Sequence, residues 1–363
     1  MSSTAPSASH GPSSAGPSAS ATGSGPSPSA RRPPTILDVA AQAGVSKSLV
    51  SRVLRGDPSV GATRREAVVA AVEALNYRPN AVARSLVQRR TFYVGVLVSD
   101  LHNLFFAEIL DGIADTAREH GYTVLIATGS LDALYERDAL EALLQLRTDG
   151  LILAGTELPV ETVRTAGRAV PVALVTSTQR VAGVDTVATD DVRGAGLAVE
   201  HLVGLGHQRI ALIDGAGGPG AAERQQGYES AMRRWHLSHE VHIVRGDFTE
   251  QGGRRAMQHL LEEDPQVTAV CTGNDLAALG ALNAIAEAGL DVPGDISVVG
   301  YDNTALAELR HVALTTVHQP RFEIGAMAMQ AILRRIDNPQ VRVRRELLEP
   351  KLIVRRTTAP PRA

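Results

Sequence analysis

From Phe92 to Asp302, short apolar runs alternate with longer helical patterns, and this constrains the fold more than any other feature of the chain. The runs are FYVGVLV, YTVLIAT, GLILAG, PVALVT, RIALID, VHIVRG, TAVCTG and ISVVGYD. Six or seven residues long and apolar on both faces, they suit strands covered on both sides of a sheet. Between most of them lie helical stretches of 12–17 residues, such as FFAEILDGIADTAREHG and DLAALGALNAIAEAG. Strand, crossover helix and next strand form right-handed units that build parallel sheets with helices on both faces. About eight strands over about 260 residues fit two doubly wound lobes better than one. The expected body is therefore α/β and spans 92–356, with 357–363 as a short tail.

The N-terminal part differs in kind. Of the first thirty residues, 26 are Ser, Ala, Pro or Gly. Such a segment buries too little apolar surface to offset its ordering entropy, so 1–34 is expected to be a disordered tail. It lacks the apolar core of a secretory signal, which points to the cytoplasm. From Thr35 short helices follow. TILDVAAQAG has helical apolar spacing and ends at Gly44, and Thr35 with Asp38 resembles a capping box. Ser46 is placed to cap SKSLVSRVL, and ATRREAVVAAVEALN forms a third helix from about Ala62 to Asn76. Residues 35–78 therefore read as a small all-α domain, with NAVARSLV a further short helical stretch in a 79–91 linker.

Charge and composition narrow the function. The whole chain is at −3, yet residues 31–90 hold eleven Lys or Arg against four acids, a net of +7, leaving −10 for the rest. A basic block on an acidic body fits a small domain that meets a polyanion. No apolar run approaches the ~20 residues of a membrane span. The lone Cys271 excludes a disulfide framework and reads as a small buried hydrophobe. No His-Glu-x-x-His, Gly-x-Ser-x-Gly or metal-ligand cluster is evident, and neither an enzyme activity nor a cofactor is expected. The best enzyme alternative is Gly215 to Gly220, which fits G-x-G-x-x-G between a strand and a helix and would suit an NAD(P)-dependent oxidoreductase. Pro219 counts against it by removing a backbone donor beside the pyrophosphate.

Two short helices joined by Ala43-Gly44-Val45 make a helix-turn-helix, in which the start of the second helix meets base edges. Ala40, Val45, Val50 and Val53 are spaced to pack the pair together. Lys47, one of only two lysines in the chain, stands at that start. Arg52, one turn after Ser48, can make a bidentate contact to guanine. The motifs D-V-A-x-x-A-G-V-S, V-S-R-V-L, T-R, L-N-Y-x-P-N and A-R-S-L follow in order between 38 and 86. Together they resemble the headpiece and hinge of the lac repressor family of bacterial transcription regulators. The resemblance implies that Lys47, Ser48 and Arg52 face bases and that Ser46 and Ser51 lie near phosphates. It also implies a hinge helix that carries Asn80, Ala83 and Leu86 into the minor groove, with Leu86 as an apolar wedge. Leu49 and Arg55 depart from the family's usual threonine and asparagine.

The body is similar to the family's ligand-binding region, which is periplasmic-binding-protein-like. Parallel sheets place ligands outside the carboxyl ends of their strands. Ser99 and Asp100, Asp190 and Asp191, Asn274 and Asp275, and Asp302 all follow apolar runs, and Arg224 lies on the helix after RIALID. R-x-x-G-Y at Arg224, G-N-D-L-A-A-L-G, V-V-G-Y-D-N and L-T-T-V-x-Q-P match family motifs. The effector-binding residues expected on that resemblance are Asp191, Arg224, Asn274 and Asp302, then Ser99, Phe105 and Gln319. Asp275 is assigned to capping, Trp235 to packing, and His201 and His207 to structure. The resulting expectation is a cytoplasmic repressor that binds a pseudo-palindromic operator in double-stranded DNA as a homodimer. A small molecule in the interlobe cleft, a carbohydrate or its derivative, would control it. A solute-binding protein is the second alternative.

Overall fold

The computed structural model describes residues 32, 34–54, 56–78, 90–130 and 132–362. They divide into two compact units, one holding the described residues up to 78 and the other beginning at 90. The expected N-terminal tail to residue 31 and the hinge positions Asn80, Ala83 and Leu86 lie outside the described residues.

The first unit comprises helices α1 (Ile36–Gln42), α2 (Lys47–Leu54) and α3 (Ala62–Ala74). The Asp38 carboxylate accepts from the Thr35 amide and hydroxyl at 2.7 Å each, so the capping box forms with Asp in the usual Glu place. Gly44 takes φ +65° in the turn after α1, a conformation in which a Cβ is strained. Val39, Ala40, Val50, Val53, Val60, Val68, Ala71 and Tyr77 form the core of this unit. Val45 packs against it from a half-buried position.

The second unit carries two six-stranded sheets. The first is built from β1 (Tyr93–Val98), β2 (Thr123–Thr128), β3 (Gly150–Ala154), β4 (Val172–Val175), β5 (Asp185–Thr189) and β11 (Arg345–Leu348). Its order is β11-β5-β4-β3-β1-β2, parallel throughout. The second comprises β6 (Ile210–Ile213), β7 (His242–Val244), β8 (Ala269–Thr272), β9 (Ser297–Asp302), β10 (Thr315–His318) and β12 (Lys351–Ile353), in the order β12-β10-β9-β8-β6-β7. Only β12 runs antiparallel there, against β10. The eight expected strands are all present, but twelve are found among the described residues. The additions are β5, β10, β11 and β12, three of them with polar runs: β5 is DTVAT, β10 is TTVH, and β11 is RELL at a sheet edge.

Helices cover both faces of each sheet. On the first, α4 (Phe105–Glu119) and α12 (Arg321–Asp337) bury one face, α5 (Ala133–Gln145) and α6 (Val160–Ala169) the other. On the second, α7 (Asp191–Gly204) and α8 (Ala221–Arg234) lie opposite α9 (Glu250–Glu263) and α10 (Asp275–Glu287). The small helix α11 (Ala305–Glu308) follows β9. Close helix contacts depend on small residues: a Cβ at Gly253 would strike the Ala277 backbone, and one at Gly280 the Glu250 carbonyl. The chain crosses between lobes three times, after β5, after β10 and after β11. The first and third crossings are joined by the Asp190 amide, which donates to the Leu348 carbonyl at 2.9 Å.

Residues 357–359 are held to the second lobe. Thr357 donates its hydroxyl to the Val298 carbonyl at 2.7 Å. His207 Nε2 lies 2.8 Å from the Ala359 carbonyl, which can only accept, so this nitrogen carries the proton. Burial lowers the His207 and His201 pKa values, and His201 Nε2 is 2.9 Å from the Thr358 hydroxyl. The structural assignment of both histidines agrees with these contacts. Cys271 is buried in β8, where burial pushes its thiol up to about 12. Trp235, expected to pack, is instead 46 % exposed, because it follows α8 at a surface-facing C-terminus.

Candidate nucleic-acid interface and ligand cavity

In the first unit, Ser46 Oγ accepts from the Leu49 amide at 3.3 Å and so caps α2. Ser46, Lys47 and Ser48 are exposed, while Val50 and Val53 of the same helix face inward. This face therefore offers one full positive charge, two hydroxyls and the free backbone donors of a helix start to a phosphodiester or base edge. Ser51 and Arg52 lie half-buried one turn on. Arg52 is already engaged within the unit: Nε donates to Asp57 Oδ2 at 2.9 Å and Nη2 to Ser59 Oγ at 2.5 Å.

In the second unit, a cavity of about 280 Å³ opens between the carboxyl ends of the two sheets. From the first lobe come Ser99 and Asp100 after β1, Asn103, Phe105 and Phe106 at the start of α4, Glu136 of α5, Glu157 beyond β3 and Thr176 beyond β4. From the second come Arg224 of α8, Asp247, Phe248 and Thr249 beyond β7, Asn274 beyond β8 and Asp302 at the end of β9. Phe105 and Phe106 meet edge to face at 5.1 Å between centroids.

Arg224 organises the second-lobe wall. Its Nε donates to Asp191 Oδ1 at 3.0 Å and its Nη1 to the Gly273 carbonyl at 2.5 Å. The guanidinium lies over the Tyr301 ring at 4.1 Å and the Phe248 ring at 5.4 Å, in cation–π geometry. Burial works to lower the Arg224 pKa, but Asp191, Tyr301 and Asp302 together outweigh it and keep the group charged. Burial likewise pushes the Asp191 carboxyl up, against the pull of Arg224. Asp302 has φ +118°, a strained value for a residue with a Cβ. Its Oδ1 accepts from Gln319 Nε2 at 2.7 Å, and burial raises its pKa. Glu136 is only 2 % exposed, and burial lifts it to about 7. One of its oxygens accepts from the Glu157 amide at 3.0 Å. Among the described residues, no three His, Cys, Asp or Glu side chains converge as a metal ion requires.

Two family descriptions match the chain. Residues 35–80 match bacterial regulatory proteins, lacI family, and residues 199–358 match the periplasmic binding protein-like domain. Catabolite control protein A of Priestia megaterium is 36 % identical over 311 residues, covering 85 % of this chain and 94 % of that protein. The ribose operon repressor of Escherichia coli (strain K12) is 37 % identical over 325 residues, covering 88 % and 98 %. The chain belongs to the LacI family of bacterial regulatory proteins. A crystal structure of the lac repressor dimer bound to operator and the anti-inducer ONPF has a TM-score of 0.80 to it at 32 % identity, covering 90 % of this chain and all of that one.

Five of the seven effector-binding residues expected of a LacI-family body line the cavity: Ser99, Phe105, Arg224, Asn274 and Asp302. The other two, Asp191 and Gln319, are buried and do not line it; each follows a strand at which the chain crosses between lobes. Asp191 is the ion-pair partner of Arg224, while Gln319 joins Thr189, at 2.6 Å, to Asp302. The capping roles are also exchanged. Asn274 caps α10 through its Oδ1, 2.8 Å from the Ala277 amide, while its Nδ2 donates to the Phe248 carbonyl. Asp275 instead accepts from the Thr304 amide and hydroxyl and from the Thr316 hydroxyl, which ties β9 to β10.

Sequence reasoning missed Glu136, Glu157, Thr176, Asp247 and Phe248. The last four follow β3, β4 and β7, so the strand-end rule applied to every strand would have found them. Glu136 sits on a helix and carries no such signal. The glycines of G-A-G-G-P-G also find an explanation here. A Cβ at Gly215 or Gly218 would run into the Phe248 ring, so these glycines make room for an aromatic wall in this LacI-family body.

Proposed function

We propose that this protein is a dimeric transcriptional repressor that reads a two-fold-symmetric operator in the cytoplasm and answers to a small molecule in the interlobe cavity. The exposed Ser46-Lys47-Ser48 turn of α2, on a segment of net +7 from 31 to 90, carries the DNA half. In this reading Lys47, Ser48 and Arg52 meet base edges, and Ser46 and Ser51 meet phosphates. A two-fold protein matches a two-fold site. Asn80, Ala83 and Leu86 belong to the proposed hinge.

The cavity argues for the class of effector. Its lining holds five carboxyl groups, on Asp100, Glu136, Glu157, Asp247 and Asp302, two of which (Glu136 and Asp302) burial pushes toward the neutral form, against one guanidinium. That guanidinium is already paired with Asp191. A phosphate or carboxylate entering here would lose its hydration without gaining a free counter-charge, at a cost of several kcal/mol. Hydroxyl donors, by contrast, find acceptors on both lobes, and Phe105, Phe106 and Phe248 offer apolar faces. The effector is therefore an uncharged or amine-bearing polyol, a sugar or its derivative, and it biases the lobes toward one of two arrangements.

A thermal-shift screen of the full chain against neutral sugars, amino sugars and sugar phosphates tests this reading. A neutral or amine-bearing sugar should raise the melting temperature and change operator affinity, and Phe248→Ala should abolish both responses. Stabilisation by sugar phosphates alone would contradict the charge argument.

A further inference from the structure

The groups that hold Arg52 form a closed ring. Arg52 Nε donates to Asp57 Oδ2 at 2.9 Å, and Arg52 Nη2 donates to Ser59 Oγ at 2.5 Å. Ser59 Oγ in turn donates to Asp57 Oδ1 at 2.5 Å, and the Ser59 amide donates to that same oxygen at 2.9 Å. The carboxylate and the hydroxyl thus occupy the Nε–Nη2 edge of the guanidinium. A guanidinium has five N–H donors in a fixed plane, so the Nη1–Nη2 edge stays available. A bidentate contact to guanine O6 and N7 needs one such edge.

We propose that Asp57 and Ser59 are positioning residues that fix the plane of the Arg52 guanidinium so that its remaining edge reads a base. The proposal rests on the reading of Arg52 as a base-contacting residue. A free arginine must give up side-chain rotamer freedom when it docks, and the ring removes part of that freedom beforehand. Arg52 is 43 % exposed and Asp57 32 %, so the held guanidinium remains open to a partner. Asp57 is held below the usual carboxylate range by Ser59 and Arg52, so the ring stays charged at any physiological pH. Besides the Ser59 amide bond to the carboxylate, two main-chain bonds of Asp57 hold the turn. The Asp57 amide donates to the Arg52 carbonyl at 3.1 Å, and the Asp57 carbonyl accepts from Arg65 Nη2 of α3 at 2.6 Å.

Asp57→Asn tests the ring, because it keeps a carbonyl oxygen for Ser59 but removes the charge that fixes Arg52. The probes are a duplex that the wild-type full chain enriches from a random pool and a scrambled duplex of equal length, followed by fluorescence anisotropy. The ratio of enriched to scrambled affinity should fall on the order of tenfold. Affinity for scrambled DNA should hold or rise, since one negative charge near the phosphates is gone. Ser59→Ala should lower the ratio in the same direction by less. An unchanged ratio overturns the proposal, and a raised ratio does so by showing that Asp57 competes with DNA for Arg52. Equal loss on both duplexes with a lower melting temperature also overturns it, by assigning Asp57 to turn stability. Arg52→Ala separates the two claims: if it preserves the ratio, Arg52 does not read bases at all. If it abolishes the ratio while Asp57→Asn does nothing, only the positioning role fails.

Discussion

The helix-turn-helix unit and the two-lobed body place the groups proposed to bind DNA and effector in opposite surroundings. In the first, Ser46, Lys47 and Ser48 lie on the solvent side of a helix whose other side is core. In the second, Arg224, Asn274 and Asp302 are each less than a tenth exposed and bonded to neighbours on several sides. One surface must meet a large polyanion without reorganising. The other must remove a small molecule from water, so its polar groups are buried and need partners whether or not a ligand is bound. Function and stability should separate in the first unit and be entangled in the second.

The largest expected effect tests the entangled side. Arg224→Ala strands the Asp191 carboxylate, which is 5 % exposed, and should cost about 3–5 kcal/mol of stability. Calorimetry of the full chain should show a clear drop in melting temperature, partly recovered by adding Asp191→Ala. If melting does not change, the pair is not part of the body's structure and the contrast breaks. A second, smaller effect concerns Glu136. Its folded pKa, about 7, stands above its ordinary value of 4.5, so the folded chain binds the extra proton between those values. Stability contributed by this group is therefore present at low pH and lost as pH rises from about 4.5 through 7, on the order of 3 kcal/mol in all. Glu136→Gln should flatten that part of the stability-versus-pH curve between pH 5 and 8. An identical slope in the variant would remove Glu136 as its source. The smallest effect lies in the first unit: Arg52→Ala should change stability by no more than about 0.5–1 kcal/mol, because its ion pair is partly open to solvent. Loss of the unit's helical signal would merge the two regimes.

The same contrast explains what was legible in the sequence. The three helices, their capping box and the exposed turn at Ser46 lie within forty residues, and each rests on contacts a few residues apart. The two doubly wound lobes were legible too, since fully apolar strands and amphipathic helices are local patterns. The cavity was legible only in part. Ser99 and Asn274 follow the apolar strands β1 and β8, and Asp302 ends β9; those are the positions the strand-end rule finds. Asp191 and Gln319 also follow strands, yet whether such a residue faces a cavity or a crossover depends on which sheet the next segment joins. That choice is settled by partners far along the chain, such as the Leu348 carbonyl for Asp190. Glu136 reaches the wall from a helix face whose inward side no periodicity marks, and the edge strand RELL is too short and too charged to announce itself.

Selection from a random DNA pool shows whether a sequence-reading unit is joined to an effector-binding body. The full chain, with cell extract present to supply any co-effector, is incubated with random duplexes at about 150 mM salt, and the bound DNA is sequenced. A two-fold-symmetric site with a guanine in each half should be enriched, and that guanine should disappear from the consensus selected by Arg52→Ala. A wild-type pool that stays random, or an unchanged consensus from Arg52→Ala, would contradict the sequence-reading role.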